Sequence, residues 1–179
     1  MANTYTLISS NVLSTTTASV TFSSIPSTYT DLVLRVSARN NDTGTWGHLH
    51  FQLNGDTTTT YSWTYLSGDG STAASATSGN NTSTRSYYSV DASGATANTF
   101  GSAEIYIPSY TASQNKPIST FGVNETNSAV AGDANIAITA DLWRNTAAIT
   151  SIKLGASSNF STVSFVAGSS FYLYGVRSA

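Results

Sequence analysis

Apolar and polar positions alternate with a period of two through most of the chain. In DLVLRVSAR (31–39), Leu32, Leu34, Val36 and Ala38 share one face, and Val33, Arg35, Ser37 and Arg39 share the other. HLHFQL (48–53) sets Leu49, Phe51 and Leu53 against His48, His50 and Gln52. NIAITADLW (135–143) sets Ile136, Ile138, Ala140 and Leu142 against smaller or polar partners. This pattern predicts half-buried strands, each with its apolar face in a core and the other face wet. Seven more segments read as strands: YTLIS (5–9), ASVTF (18–22), YSWTYL (61–66), FGSAEIYI (100–107), ISTFGVNE (118–125), ITSIKLG (149–155) and SFYLYGV (170–176). No window sustains helical spacing, and the abundant Ser, Thr and β-branched residues disfavour it. There is room only for a short helical turn within 109–117.

Turn chemistry separates these runs. Asn54-Gly55-Asp56 suits a tight connection, since Asn and Gly accept positive φ. Pro26 and Pro108 end strands because proline cannot donate to a ladder. The stretch SGDGSTAASATSGNNTSTRS (67–86) holds no core-forming side chain larger than alanine, which predicts a long exposed loop. In the closing segment, Phe171 and Leu173 fall on one face and Tyr172, Tyr174 and Val176 on the other. A strand apolar on both sides is covered on both sides, either centrally in the sandwich or at a contact between subunits. The expected fold is all-β: a single domain over 1–179, an antiparallel, jelly-roll-like β-sandwich of about eight to ten strands. In it the first and last strands pair and serve as inner structural strands.

Composition then narrows the function classes. Of 179 residues, 40% are apolar, as in a globular protein, yet only 9% are charged and about a third are Ser or Thr. With a net charge of −2, such a neutral, hydroxyl-rich surface offers little repulsion between copies. The seven basic residues are scattered, which argues against nucleic acid as a partner. Cysteine is absent, so there is no thiolate nucleophile and no zinc–cysteine site. MANTYTLISS lacks the basic and apolar regions of a secretion signal, so synthesis in the cytoplasm is expected. No apolar run reaches the roughly 18 residues of a membrane span.

Candidate chemistry is sparse. His48 and His50 emerge on one face of a strand, with Asp42 and Asp56 near its ends, but two imidazoles need a third ligand before they hold zinc or copper. A hydrated face or a subunit contact explains them without a metal, and no metal or cofactor is expected. Glycoside hydrolysis wants two facing carboxylates. Glu104 and Glu125 are the only glutamates, and most of the seven aspartates, Asp42, Asp56, Asp69, Asp91 and Asp133 among them, fall in turns. No G-x-S-x-G occurs, and a serine triad would have to recruit His48 or His50. The expectation is no enzyme. Aromatic residues are the better lead. Trp46, Tyr61, Trp63 and Tyr65 cluster around the histidine strand, with Tyr61, Trp63 and Tyr65 on one face. These rings either pack one sheet face into the core or, if exposed, anchor a subunit or stack on a sugar. Trp46, Trp63, Tyr172 and Tyr174 are the candidate interface anchors, with Tyr61 and Tyr65 beside them.

Three stretches carry a family likeness: YTLISSNVLSTTTASVTFSSIPSTYTDLVLRVSAR (5–39), AITSIKLGASSNF (148–160) and GSSFYLYGVR (168–177). Ile25-Pro26-Ser27-Thr28-Tyr29-Thr30-Asp31-Leu32-Val33-Leu34 matches an opening I-P-x-T-Y-x-D-L-x-L. Phe171-Tyr172-Leu173-Tyr174-Gly175-Val176 matches an ending F-x-L-Y-G-I, with Val for Ile. The chain thereby resembles small virion structural proteins of tailed bacteriophages, particularly those of marine bacteria and cyanobacteria. The resemblance covers about a third of the chain, at its two ends, and carries no catalytic motif. It implies a virion-surface subunit that decorates or cements the capsid. Its implied partners are its own copies, as a homo-trimer, and other virion proteins such as the major capsid protein. The alternative is a tail-fibre or receptor-binding module that touches host-surface glycans.

Overall fold

The computed structural model describes residues 4–177. Every regular element in them is a strand: β1 (Tyr5–Val12), β2 (Ser19–Phe22), β3 (Asp31–Ala38), β4 (Trp46–Leu53), β5 (Tyr61–Gly68), β6 (Ala73–Asn81), β7 (Thr84–Asp91), β8 (Gly101–Ile107), β9 (Lys116–Asn124), β10 (Asn135–Trp143), β11 (Ile152–Gly155) and β12 (Ser170–Val176). They form two antiparallel sheets, ordered β1-β12-β3-β8-β9-β10-β5-β6 and β2-β11-β4-β7. The fold is therefore an all-β antiparallel sandwich. With the β5–β6 and β9–β10 hairpins set aside, two four-stranded sheets remain, β1-β12-β3-β8 over β2-β11-β4-β7. That is the strand order of an eight-stranded jelly roll. The two hairpins extend one sheet sideways into a four-stranded wing, β9-β10-β5-β6.

All ten segments marked by alternation are strands. The expectation for 67–86 is corrected: β6 lies wholly inside this stretch and β7 begins in it. β6 was hidden because its side chains are all small, so no amphipathic period accompanies its ladder with β5. Within 109–117 the chain makes a turn and then enters β9 at Lys116; the Ala112 N–H donates to the Ser109 carbonyl, and there is no helix. Asn54 and Gly55 both take positive φ, 53° and 66°. Their tight turn joins strands that lie in different sheets.

The sheets close on one apolar core. Leu32, Leu34 and Val36 of β3, Phe51 and Leu53 of β4, Ile105 and Ile107 of β8, Ile152 and Leu154 of β11, and Phe171 and Leu173 of β12 are buried together. Each such side chain contributes roughly 1.5–3 kcal/mol. β12 lies between β1 and β3, as an inner strand; its ladder with β3 is unbroken and that with β1 carries a bulge between Leu7 and Ser9. β1 is the sheet edge, mostly exposed, with only Ile8 packed against the core, which corrects its reading as an inner strand.

The two terminal motifs meet in space. Leu32 pairs with Gly175, and the Tyr29 ring lies directly on Gly175. Asp31 accepts hydrogen bonds from the Tyr106 hydroxyl at 2.9 Å and the Ser109 N–H at 2.8 Å. The shared motifs hold the sandwich together rather than line a site.

Candidate subunit interface

β10 reverses the expected polarity, and β9 follows it in turning an aromatic ring outward. β10 buries Ala137, Thr139, Asp141 and Trp143, and turns Ile136 and Ile138 outward. β9 buries Lys116, Ile118, Thr120 and Asn124, and turns Phe121 outward. The period identified the strands correctly, but the Ile face is the solvent face. The inward face meets β7, where Thr84, Ser86 and Ser89 are also buried. The Thr84 hydroxyl donates to Asp141 Oδ1. Thr120 and Thr139 are direct cross-strand partners, yet neither hydroxyl has a hydrogen-bond partner, nor does Ser86 Oγ or Asp141 Oδ2. Burial raises the Asp141 pKa to about 7, against the opposing pull of the Thr84 hydroxyl, the Arg85 backbone and the Arg85 charge. A buried polar seam of this kind lowers stability, since each unsatisfied group costs about 1–3 kcal/mol.

The outward face of the wing is ordered in rows across the strands. Leu66 pairs with Ile138, Ile138 with Phe121, and Phe121 with Glu104. One step along, Thr64 pairs with Ala140, Ala140 with Ser119, and Ser119 with Tyr106. Large side chains thus make a ridge, and the small row beside it makes a trough. Leu66, Phe121, Ile136 and Ile138 are 53%, 46%, 51% and 54% exposed. The trough opens into a hollow of about 640 Å³ between the ridge and Tyr106. Glu104 closes the row through an ion pair with Arg35 at 2.9 Å, so the face is nearly neutral.

The candidate aromatic residues divide. Tyr61 is fully buried, its hydroxyl accepting from the Leu53 N–H at 2.9 Å, and Trp63 is buried beneath the wing with Tyr87 and Ala137. Neither is available as an interface anchor. Both rings point inward because Trp63 and Tyr61 face the same side as their β10 partners Asp141 and Trp143. Tyr65 is half-buried and stacks on Tyr87 at 3.8 Å. Trp46, 36% exposed, is the accessible rim of this cluster, 4.6 Å from Tyr88. Tyr172 and Tyr174 do stand on the outer face of the large sheet, half-buried, beside Arg35. The residues that the sequence reading missed are Leu66, Phe121, Ile136 and Ile138. Alternation marks Ile136 and Ile138 as one apolar face and so points them to the core, while Leu66 and Phe121 carry no sign of their side.

His48 and His50 share a face of β4, as expected, but that face is not hydrated. The Tyr87, Tyr88 and Trp46 rings surround His48, whose Nδ1 accepts the Tyr88 N–H at 3.1 Å. A bulge in the β4–β7 pairing, with Tyr88 at φ 48°, brings consecutive rings to one cluster. Arg85 lies 4.7 Å above both Trp63 and Tyr87. Burial, helped by Arg85, lowers the pKa of His48 to about 3; burial, with His48 and Arg85, does the same for His50. Both imidazoles are neutral at ordinary pH. Asp56 is engaged elsewhere, accepting from Thr58, Thr60 and the Trp143 indole. Among the described residues, no three His, Cys, Asp or Glu come together as metal ligands. Glu125 accepts the Asn127 N–H in a turn, while Glu104 pairs with Arg35.

Compared with family models and with curated proteins, the chain matches none.

Proposed function

We propose that the chain is a non-enzymatic structural subunit on the surface of a bacteriophage particle, where it decorates or cements the capsid. One observation carries the reading: Phe121 of β9 and Ile136 and Ile138 of β10 stand outward, while Thr120, Thr139 and Asp141 are kept inside. A chain folding for itself alone gains by the opposite arrangement. An apolar face kept at that cost works by being covered by protein. The low charge and abundant hydroxyls suit wet, hydrogen-bonded contacts with other virion proteins. A subunit that binds only the assembled lattice shifts stability toward it by mass action.

A tail-fibre module is the second reading, favoured by the Tyr106 and Phe121 rings at the hollow, with Glu104 beside them. Sugar recognition would use the rings as stacking platforms and the carboxylate as acceptor. The lining is mostly apolar, which favours a protein neighbour. Quantitative mass spectrometry of particles from the phage encoding this chain tests both readings. Copies in the hundreds support the capsid, and tens or fewer support a fibre. Absence from the particle overturns both.

A further inference from the structure

We propose that the wing face is a two-fold interface between two copies of this chain, with the ridge Leu66–Ile138–Phe121 of each copy seated in the trough Thr64–Ala140–Ser119 of the other.

Shape is the first argument. Ridge and trough run side by side on one face, each three strands wide, in direct cross-strand register. A face that carries both a knob row and a matching hollow is complementary to its own image turned through 180°. A two-fold contact requires this, because residue i then meets residue j twice. Ile138 and Ala140 are the central pair, two positions apart on β10, so Ile138 of each copy meets Ala140 of the other.

Area is the second argument. Leu66, Phe121, Ile136, Ile138 and Tyr106 are all between 38% and 54% exposed. At roughly 150–250 Å² for a large side chain, they present on the order of 400–500 Å² of apolar surface. Specific interfaces bury about 800 Å² per partner, with an apolar centre and a polar rim. Ser75 and the Arg35–Glu104 pair border the patch and supply such a rim.

Charge and timing select a second copy over a different protein. The one ion pair on this face neutralises itself internally, so no net charge is offered to attract an oppositely charged partner. A face this apolar must also be covered soon after folding if it is not to aggregate. The inference rests on reading this face as a subunit contact, and it is measured on isolated protein. A chain found on particles but monomeric in solution would overturn the pairing and leave the particle role standing.

The test is light scattering coupled to size-exclusion chromatography of the purified chain, at micromolar concentration, with Ile138→Asp and Ala140→Arg as variants. The wild type is expected at the mass of two chains. Ile138→Asp places a charge on the ridge and Ala140→Arg fills the trough. Each is expected to weaken association by more than about thirtyfold, the effect of one hot-spot contact. Both positions lie on the outward face, so each variant should keep the wild-type circular dichroism spectrum and a cooperative melting transition, lowered only by the lost association. If one does not, the other carries the test. An equimolar mixture of the two variants should recover the two-chain mass, since the carboxylate introduced on one copy then meets the guanidinium introduced on the other. A monomeric or trimeric wild type, or association unchanged by both variants, overturns the proposal. So does a mixture that fails to recover when both variants are folded.

Discussion

The ring of Tyr29 lies so close to Gly175 that a β-carbon at this position would overlap it. The ring is held over the strand, with the Arg177 guanidinium 5.3 Å from its centre. This contact explains the Y-x-D-L opening and the Y-G ending together, as two halves of one packing unit. Gly175→Ala should therefore destabilise by about 1–3 kcal/mol, the usual range for overpacking. Urea denaturation measures it. Combining it with Tyr29→Ala should recover part of the loss, giving a clear coupling energy in the double-mutant cycle. Purely additive losses would refute the contact.

The inner polar seam makes an opposite prediction for a core substitution. The Thr139 hydroxyl is buried without a partner. Thr139→Val keeps the shape and removes that group, so it should stabilise by about 1 kcal/mol. A melting-temperature scan of Thr139→Val and Thr120→Val checks it. A loss of stability in both would mean that their hydroxyls are satisfied.

Stability should depend on pH through two opposing sources. Asp141 has its folded pKa raised to about 7 from 3.8. The folded state thus holds a proton that the unfolded state releases. Its contribution is fully present below pH 3.8 and is lost as pH rises through 7. His48 and His50 have folded pKa values lowered to about 3 from 6.5. Their contribution is present above 6.5 and is lost as pH falls toward 3, at about 2 kcal/mol per histidine by pH 5. Asp141→Asn should accordingly raise stability above pH 7 and give no gain near pH 4. His50→Gln should flatten the acid limb. Chemical denaturation across pH measures both. Identical pH profiles for wild type and Asp141→Asn would overturn the assignment.

Asp56 should prove structural. Burial pushes its pKa up, but bonds from Thr58, Trp143 and Thr60 outweigh that and hold it at about 2. Its Oδ2 accepts the buried Trp143 indole N–H at 2.7 Å and the Thr60 hydroxyl at 2.8 Å. Asp56→Ala leaves these donors unmet and should cost about 2–3 kcal/mol. Thermal melts with and without a chelator should coincide for wild type, since the carboxylate is occupied by protein donors. A chelator-dependent shift would refute this role.

Alternation located ten strands because a period of two survives even in a chain this rich in Ser and Thr. It could not say which side of a strand faces in, and in β10 the more apolar side faces out. What decides orientation there is the neighbour: β7 presents Thr84, Ser86 and Ser89 to the wing, and small or polar side chains on β9 and β10 fit against them. β6 escaped notice because Ala, Ser, Gly and Asn carry no amphipathic signal. Tyr61 and Trp63 lie on one face, as the spacing required, but burial of that face depends on a wing that no local pattern announces. The interface candidates Leu66, Phe121, Ile136 and Ile138 were legible as residues but not as surface.

The placement of β12 between β1 and β3 also bears on biosynthesis. Tyr5 has Val176 as its partner, so the two ends of this ladder leave the ribosome far apart in time. β3 likewise waits for the same late strand to cover its free edge. The jelly roll therefore stays unzipped along one side until translation has passed residue 176, and folding must be slow relative to its size. During that interval the nascent chain carries two open strand edges, the moment at which a chaperone would be most needed.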